Sequence, residues 1–267
     1  MTDNYITVNI MGGIGNQLFQ ISAGLYYANK YNKNLIFCDN DISPSCTPSH
    51  GYTVWKTLLN NHFKLLSIED FNNINFNNID EKYNEFDKYY EGNINFVGYY
   101  QNIKYDFEYS KNYIYNVLIN SDLYIKAKNY YNNLKNKYND FDDNNYCFIH
   151  IRRGDFIIGG IYPDLDYINN AYNYIKKNNA NTKFFIFSDG IEWCSNNIKY
   201  DNLYYIDDIN NCNIELLLMT LFKNAIIELS TFAHWGAYLG DKNNIIISKN
   251  INSSVSFETN PNNIIFI

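Results

Sequence analysis

His150, Arg152, Arg153 and Asp155 fall within the stretch "FIHIRRGDF", residues 148–156. The residues just before the two arginines are apolar and β-favouring, which sets the guanidiniums at the end of a strand. Side chains alternate along a strand, so His150 and Arg152 share one face while Ile149 and Ile151 point into a core. In open α/β sheets ligands bind beyond the carboxyl ends of the strands. Two fixed guanidiniums there make a clamp for phosphate oxygens. The chemistry this implies is anion binding, with Asp155 placed to hold an arginine. A solvated strand end carrying a surface ion pair is the plainer alternative.

Three further stretches offer polar groups where a strand gives way to a helix. "GGIGNQ", residues 12–17, joins glycines that allow close backbone approach to a helix start whose amides attract anions. It fails the dinucleotide fingerprint, because Leu18 occupies the place of the third glycine, and it lacks the Gly-Lys-Ser/Thr of a Walker loop. "FFIFSDGIEWC", residues 184–194, ends a strand with Ser188 and Asp189, either a carboxylate for a base or ribose or the cap of the next helix. "LSTFAHWGAYLG", residues 229–240, puts Ser230 and Thr231 at another such junction, with phosphate binding and simple capping both open. Trp235 and Tyr238 read as core. The Asp39-Asn40-Asp41 and Asp164-Leu165-Asp166 pairs resemble metal-binding spacing, but an Asn/Asp-rich chain produces such pairs by chance and no metal is expected. Nucleophile motifs are missing. Of the four histidines, His50 and His62 read as surface residues.

The 267-residue chain has room for one large domain or two smaller ones, and its 46% hydrophobic content excludes disorder. A net charge of -7 argues against a general nucleic-acid binder, so an anionic ligand must be held locally. The five cysteines are scattered with no CxxC, which fits reduced thiols in a cytosol better than a zinc site or disulfide framework. No signal peptide and no apolar run long enough to span a membrane is present, so a cytoplasmic location is expected. The sequon Asn252-Ser253-Ser254 carries no meaning in that setting.

The elements that must position these groups follow from periodicity. "YITVNI" (5–10) is a strand, residues 18–32 form a helix with Leu18, Ile21, Leu25 and Ala28 on one stripe, and "NLIFCD" (34–39) is a second strand. Strand, turn, helix, strand implies a parallel sheet. Residues 40–95 are less regular; 93–102 hold a short strand ending at Gly98, and 114–138 read as one helix. The acidic, aperiodic "NDFDDNN" (139–145) is the candidate boundary. Beyond it the alternation restarts: strands at 147–151, 183–189, 202–207, 226–230 and 244–248, and helices at 165–179, 213–225 and from 231. The expectation is two α/β domains, 1–142 and 143–267.

Taken together these stretches resemble the α-1,2-fucosyltransferases of glycosyltransferase family 11. "GGIGNQLFQISAG" is similar to that family's opening motif, "GYYQNIKY" (98–105) to its mid-chain motif, "HIRRGDF" to its H-x-R-R-G-D-[YF], and "FSDGIEWC" and "STFAHWGAYL" to its two C-terminal motifs. The matches keep the family order from residue 11 to residue 240. The resemblance implies a GT-B-like fold of two Rossmann-type halves, the first on the acceptor side and the second binding the nucleotide sugar, with the active site in the cleft between them. It implies an inverting, metal-independent transfer of L-fucose from GDP-β-L-fucose to a galactose 2-hydroxyl of a glycan, with no cofactor besides the donor. Arg152, with Arg153, would stabilise the charge growing on GDP; Asp155 would orient arginine. His150 and Asp189 would read the guanine, with Ser188 beside them. Ser230, Thr231 and Phe232 from one side, and Gly13, Gly15, Asn16 and Gln17 from the other, would close on the diphosphate. The chain departs from the pattern at Gly190, Leu229, Ala233 and His234. These departures leave open a different nucleotide 6-deoxy-sugar donor, or a homologue that binds a sugar nucleotide without turnover. The general base, the acceptor and the oligomeric state have no signal in the sequence.

Overall fold

Alternating β-branched strands and amphipathic helices build two parallel sheets in a computed structural model, which describes residues 4–39, 59–101, 107–249 and 263–267. Asn40, Asp41, His50, the sequon at 252–254 and residues 102–105 of the mid-chain motif lie outside the described residues. The chain separates into two compact units, with Ser121 closing one and Asp122 opening the other.

The first unit contains β1 (Tyr5–Val8), α1 (Ile14–Tyr31), β2 (Asn34–Cys38), β3 (Lys64–Leu66), α2 (Ile68–Asn72), β4 (Asn77–Asp80), β5 (Ile94–Val97) and α3 (Phe107–Ile119). Among the described residues its sheet runs β3-β2-β1-β5-β4, and each pairing is parallel. Helix α1 packs closely on this sheet at Gly24, where an added Cβ would come 3.0 Å from Leu35 and 3.1 Å from Val8. It ends at Asn32, whose left-handed φ of 51° Asn tolerates better than most residues.

The second unit contains α4 (Asp122–Tyr138), β6 (Tyr146–Ile151), α5 (Gly154–Ile158), α6 (Leu165–Asn178), β7 (Lys183–Ser188), α7 (Ile191–Asn197), β8 (Leu203–Tyr205), α8 (Cys212–Leu221), β9 (Asn224–Ile227), α9 (Thr231–Tyr238), β10 (Asn244–Ile247) and β11 (Ile264–Phe266). Its sheet runs β11-β10-β9-β6-β7-β8, again parallel at each pairing among the described residues. Strand β6 lies near the middle and is buried along its whole length. On one face Cys147, Ile149 and Ile151 join Tyr167, Ile168, Ala171 and Tyr172. On the other, Tyr146 and Phe148 meet an aromatic layer with Phe185, Phe187 and Phe222.

Two expectations shift. The helix read over 114–138 is two helices broken at Asn120–Ser121, where the Ser121 hydroxyl and amide both donate to the Leu118 carbonyl. The second of them, α4, belongs with the second unit rather than the first, so the units part at 121/122 and not at 142/143. The reason is its apolar face: Tyr131 stacks edge-on to Tyr146 and Phe222 at 5.5 and 5.3 Å. Among the described residues no helix is long and apolar enough to cross a membrane.

Candidate anion site at the strand ends

Each sheet has a point where strand order reverses direction, and such switch points are where α/β sheets open crevices for ligands. In the second unit that point lies between β6 and β9. The two loops that leave it carry Arg152–Arg153 and Leu229–Ser230, and the loop after the neighbouring β7 carries Asp189–Gly190. Residues far apart in the chain are thus brought together because their strands are neighbours in register: His150 pairs with Phe187 on one side and Ile227 on the other.

Arg152 is the centre of the arrangement. Its Nη1 lies 2.5 Å from Asp189 Oδ2, and its Nε and Nη2 donate to Asp155 Oδ1 at 3.0 and 2.7 Å. Asp189 has a second task, since its Oδ1 accepts from the Arg153 amide at 2.7 Å. It therefore fixes both the side chain of one arginine and the backbone of the next. Gly154 makes this approach possible, because a Cβ there would stand 2.5 Å from Asp189 Oδ2.

Arg153 turns away from that cluster. Its guanidinium lies 3.8 Å from the ring centroid of Trp193 on α7, a cation–π stack. The stem runs so close to Gly190 that a Cβ there would meet Arg153 Cδ at 2.7 Å. The two arginines thus have different partners, Arg152 the carboxylates of Asp155 and Asp189 and Arg153 the Trp193 ring. Gly190, which departs from the resembled pattern, is the residue that leaves room for this stem.

His150 is almost fully buried, its ring 5.6 Å from that of Phe232 at the start of α9. Burial, reinforced by the Arg152 charge and opposed by Asp189, lowers its pKa to about 4, so it is a neutral imidazole at physiological pH. Ser230 caps α9 by accepting from the Ala233 amide at 3.3 Å, and Ser188 accepts from the Gly190 amide at 3.0 Å. Thr231 opens α9 next to Ser230. His234 is buried on α9, its ring stacked on Tyr238 at 5.5 Å, and burial drops its pKa to about 3. The Asp164-Leu165-Asp166 pair is a helix start: Asp164 caps α6 by accepting from the Tyr167 amide at 2.9 Å.

Two carboxylates at these strand ends have no signal in the sequence reading. Glu215, on α8, is pushed up to a pKa of about 7 by burial and by the charge of Asp189. Glu228, the residue after β9, accepts from the Asp164 amide at 2.8 Å and is likewise raised to about 7 by burial, with the Asp164 charge adding and its amide opposing. Both sit inside apolar runs that read as packed helix and strand.

These shifted groups set a pH dependence of stability. Glu215 and Glu228 have folded-state pKa values raised from 4.5 to about 7, so their contribution is full below 4.5 and is lost as pH rises toward and through 7. His150 and His234, lowered from 6.5 to about 4 and about 3, contribute the reverse slope, lost as pH falls below 6.5. The two pairs oppose each other between about 4.5 and 6.5, and above 6.5 only the glutamate term remains. The melting temperature is therefore expected to fall from pH 6.5 to pH 8, and a Glu215→Gln, Glu228→Gln double variant to flatten that fall. A calorimetric pH series checks it; an unchanged slope in the variant would refute the assignment.

The switch point of the first unit lies between β1 and β5 and is built from the opening motif and the described part of the mid-chain motif. Gly12 adopts a φ of +74°, and a Cβ there would meet Asn16 Nδ2 at 2.5 Å. Gly13 precedes α1 with no side-chain cap, which leaves main-chain amides at the helix start. Gly15 is buried in the first turn. The Gln17 side chain donates to the Gly12 carbonyl at 3.0 Å. Asn16 accepts from Gln101 at 2.9 Å, and Gln20 bridges the two loops, accepting from the Met11 amide at 3.0 Å and donating to the Gly98 carbonyl at 3.1 Å. The two motifs form one hydrogen-bonded turn, and Gln20 is the strut the sequence reading did not single out.

A family model described as glycosyl transferase family 11 matches residues 1–266. An α-1,2-colitosyltransferase of Escherichia coli is 28% identical over 268 residues, covering 88% of this chain and 87% of that protein. The galactoside α-(1,2)-fucosyltransferase 2 of Gorilla gorilla gorilla is 23% identical over 244 residues, covering 87% of this chain and 68% of that protein. Among solved structures, the Bradyrhizobium fucosyltransferase NodZ, an α-1,6-fucosyltransferase with a crystal soaked in GDP-fucose, superimposes with a TM-score of 0.53 at 13% identity, covering 94% of this chain and 97% of that one. That likeness is one of fold, GT-B-like with two parallel α/β halves.

Proposed function

Because the chain belongs to glycosyl transferase family 11, and is a glycosyltransferase of the fucosyltransferase-like kind, we propose that it transfers L-fucose from GDP-β-L-fucose to the 2-hydroxyl of a galactose in a glycan acceptor, with inversion and without a metal ion. The observation that carries this reading is Arg152, a guanidinium fixed at a sheet's switch point by Asp189 and Asp155. Breaking the bond between fucose and GDP builds negative charge on the diphosphate, and a fixed guanidinium stabilises that charge where other transferases use a divalent cation. His150, kept neutral by burial, offers one donor and one acceptor to the guanine edge, and the Ser230–Phe232 turn at the start of α9 receives the phosphates. Arg153 serves the site indirectly, through its Trp193 stack and its amide bond to Asp189. In the first unit, Gly13, Gly15, Asn16 and Gln17 supply an anion-receptive turn.

A second donor is favoured by one specific observation: the colitosyl relative shares more identity with this chain than the gorilla fucosyltransferase does over a similar span. Colitose is fucose without one hydroxyl, so a site built on GDP and a 6-deoxy-L-sugar would need few changes to take either.

The test is a thermal-shift panel with GDP-fucose, GDP-colitose, GDP-mannose and UDP-sugars in EDTA, followed by linkage analysis of products on galactose-terminated acceptors. A donor at about 100 times its dissociation constant adds about 2.7 kcal/mol, a rise of a few degrees for a chain of this size. GDP-fucose is expected to give the largest rise and an α-1,2-linked product in EDTA. A rise with GDP-colitose alone would transfer the assignment to that donor. Binding without product on any acceptor would replace the enzyme reading with a sugar-nucleotide binder, and loss of activity in EDTA would overturn metal independence.

A further inference from the structure

Arg152 carries five N–H groups. Nε and Nη2 both donate to a single oxygen, Asp155 Oδ1, while Nη1 forms an ion pair with Asp189 Oδ2 at 2.5 Å. The side edge, where a phosphate would make two parallel hydrogen bonds, is closed by Asp155. The strongest grip this guanidinium can offer a diphosphate and its bond to Asp155 therefore use the same two donors.

The two carboxylates differ in exposure and in where they lie along the chain. Asp189 has a side chain 29% exposed, its second oxygen is bonded to the Arg153 amide, and Gly154 lies against it. Asp155 has a side chain 54% exposed and reaches Arg152 across three residues from a one-turn helix. Solvent-exposed pairs of that kind contribute little, because water replaces the partner at small cost. Removing Asp189 would instead leave the Arg153 amide without its acceptor.

We infer that Asp155 is an exchangeable counter-ion of Arg152: the donor's diphosphate displaces its carboxylate from the Nε–Nη2 edge while Asp189 keeps Nη1. The inference rests on the donor reading above and gives it a consequence opposite to that of an orienting role. An orienting carboxylate strengthens nucleotide binding; an exchangeable one opposes it. Asp155 holds the guanidinium extended and neutralised until a better anion arrives, and it penalises weak anions that cannot outcompete it.

The test is calorimetric titration of the full chain with GDP and with guanosine, using wild type, Asp155→Asn and, as a control for simple loss of negative charge, Glu192→Gln on α7. Asp155→Ser serves as a second variant, and melting curves establish that each protein is folded. Asp155→Asn and Asp155→Ser are expected to bind GDP about three- to tenfold more tightly than wild type, with guanosine affinity unchanged and Glu192→Gln close to wild type. Weaker or equal GDP binding in both Asp155 variants would overturn the inference and return Asp155 to an orienting role. Equal tightening in Glu192→Gln would overturn it in favour of net charge alone. Folded wild type and variants that all fail to bind GDP would sink the donor reading itself.

Discussion

Arg152→Ala is expected to lower kcat by about 10²–10³-fold, the loss seen when one preorganised donor to a transition-state charge is removed. The argument is geometric. Arg152 is the one guanidinium of the pair that contacts Asp155 and Asp189, and its neighbour stacks on Trp193. Arg152→Lys should recover little, since a single ammonium cannot hold Asp189 and accept a diphosphate in two directions at once. Arg153→Ala gives the contrast: it removes a stack rather than a charge contact, so its loss should show mainly in melting temperature. Single-turnover rates with saturating donor, alongside melting curves, separate the two arginines. Equal rate losses from both would contradict the division of labour drawn here.

How far the sequence disclosed this site depends on what kind of signal each residue carries. The βαβ opening and the restart at Cys147 were legible because parallel strands buried on both faces read as continuous apolar runs, and "CFIHI" is buried at every position. Short motifs marked the switch points well, since His150, Arg152, Asp189 and Ser230 end up on neighbouring strand ends. The different partners of Arg152 and Arg153 had no sequence signal, because the strand ends at Ile151 and Arg153 is not extended. Glu215 and Glu228 were not legible, because a carboxylate inside "IELLLMTLF" or "AIIELS" reveals its burial only once strand order is known. Strands β3, β4 and β11, three or four residues long, gave no strand signal among their Asn-rich neighbours. Helix α4 was misassigned because sequence adjacency said nothing of Tyr131, whose partners Tyr146 and Phe222 lie far along the chain.

Phe222→Ala should be the most destabilising substitution behind the site. Phe222 is fully buried and sits where α8 gives way to β9. Its ring centroid lies 5.3 Å from that of Tyr131, 5.4 Å from Phe185, 5.8 Å from Phe187, 6.1 Å from Phe148 and 6.4 Å from Tyr146. Most of these contacts are edge-on, the arrangement aromatic quadrupoles favour. No neighbour can move into the space, because each is itself a ring fixed on a central strand or on α4, so the cavity stays open and the full cost of about 3–5 kcal/mol is expected. For a domain of this size that is a fall of very roughly 6–20 °C in melting temperature. Phe222→Leu keeps most of the volume and should cost less than about 1.5 kcal/mol. The same layer backs the chemistry: Phe187 is two residues before Asp189, and Phe148 is two before His150. Loosening it should therefore weaken donor binding in Phe222→Ala even at temperatures where the protein stays folded. Calorimetric melting of both variants, with donor titration below the transition, checks this; a fall of only a degree or two in Phe222→Ala would mean that the aromatic layer collapses to fill the gap.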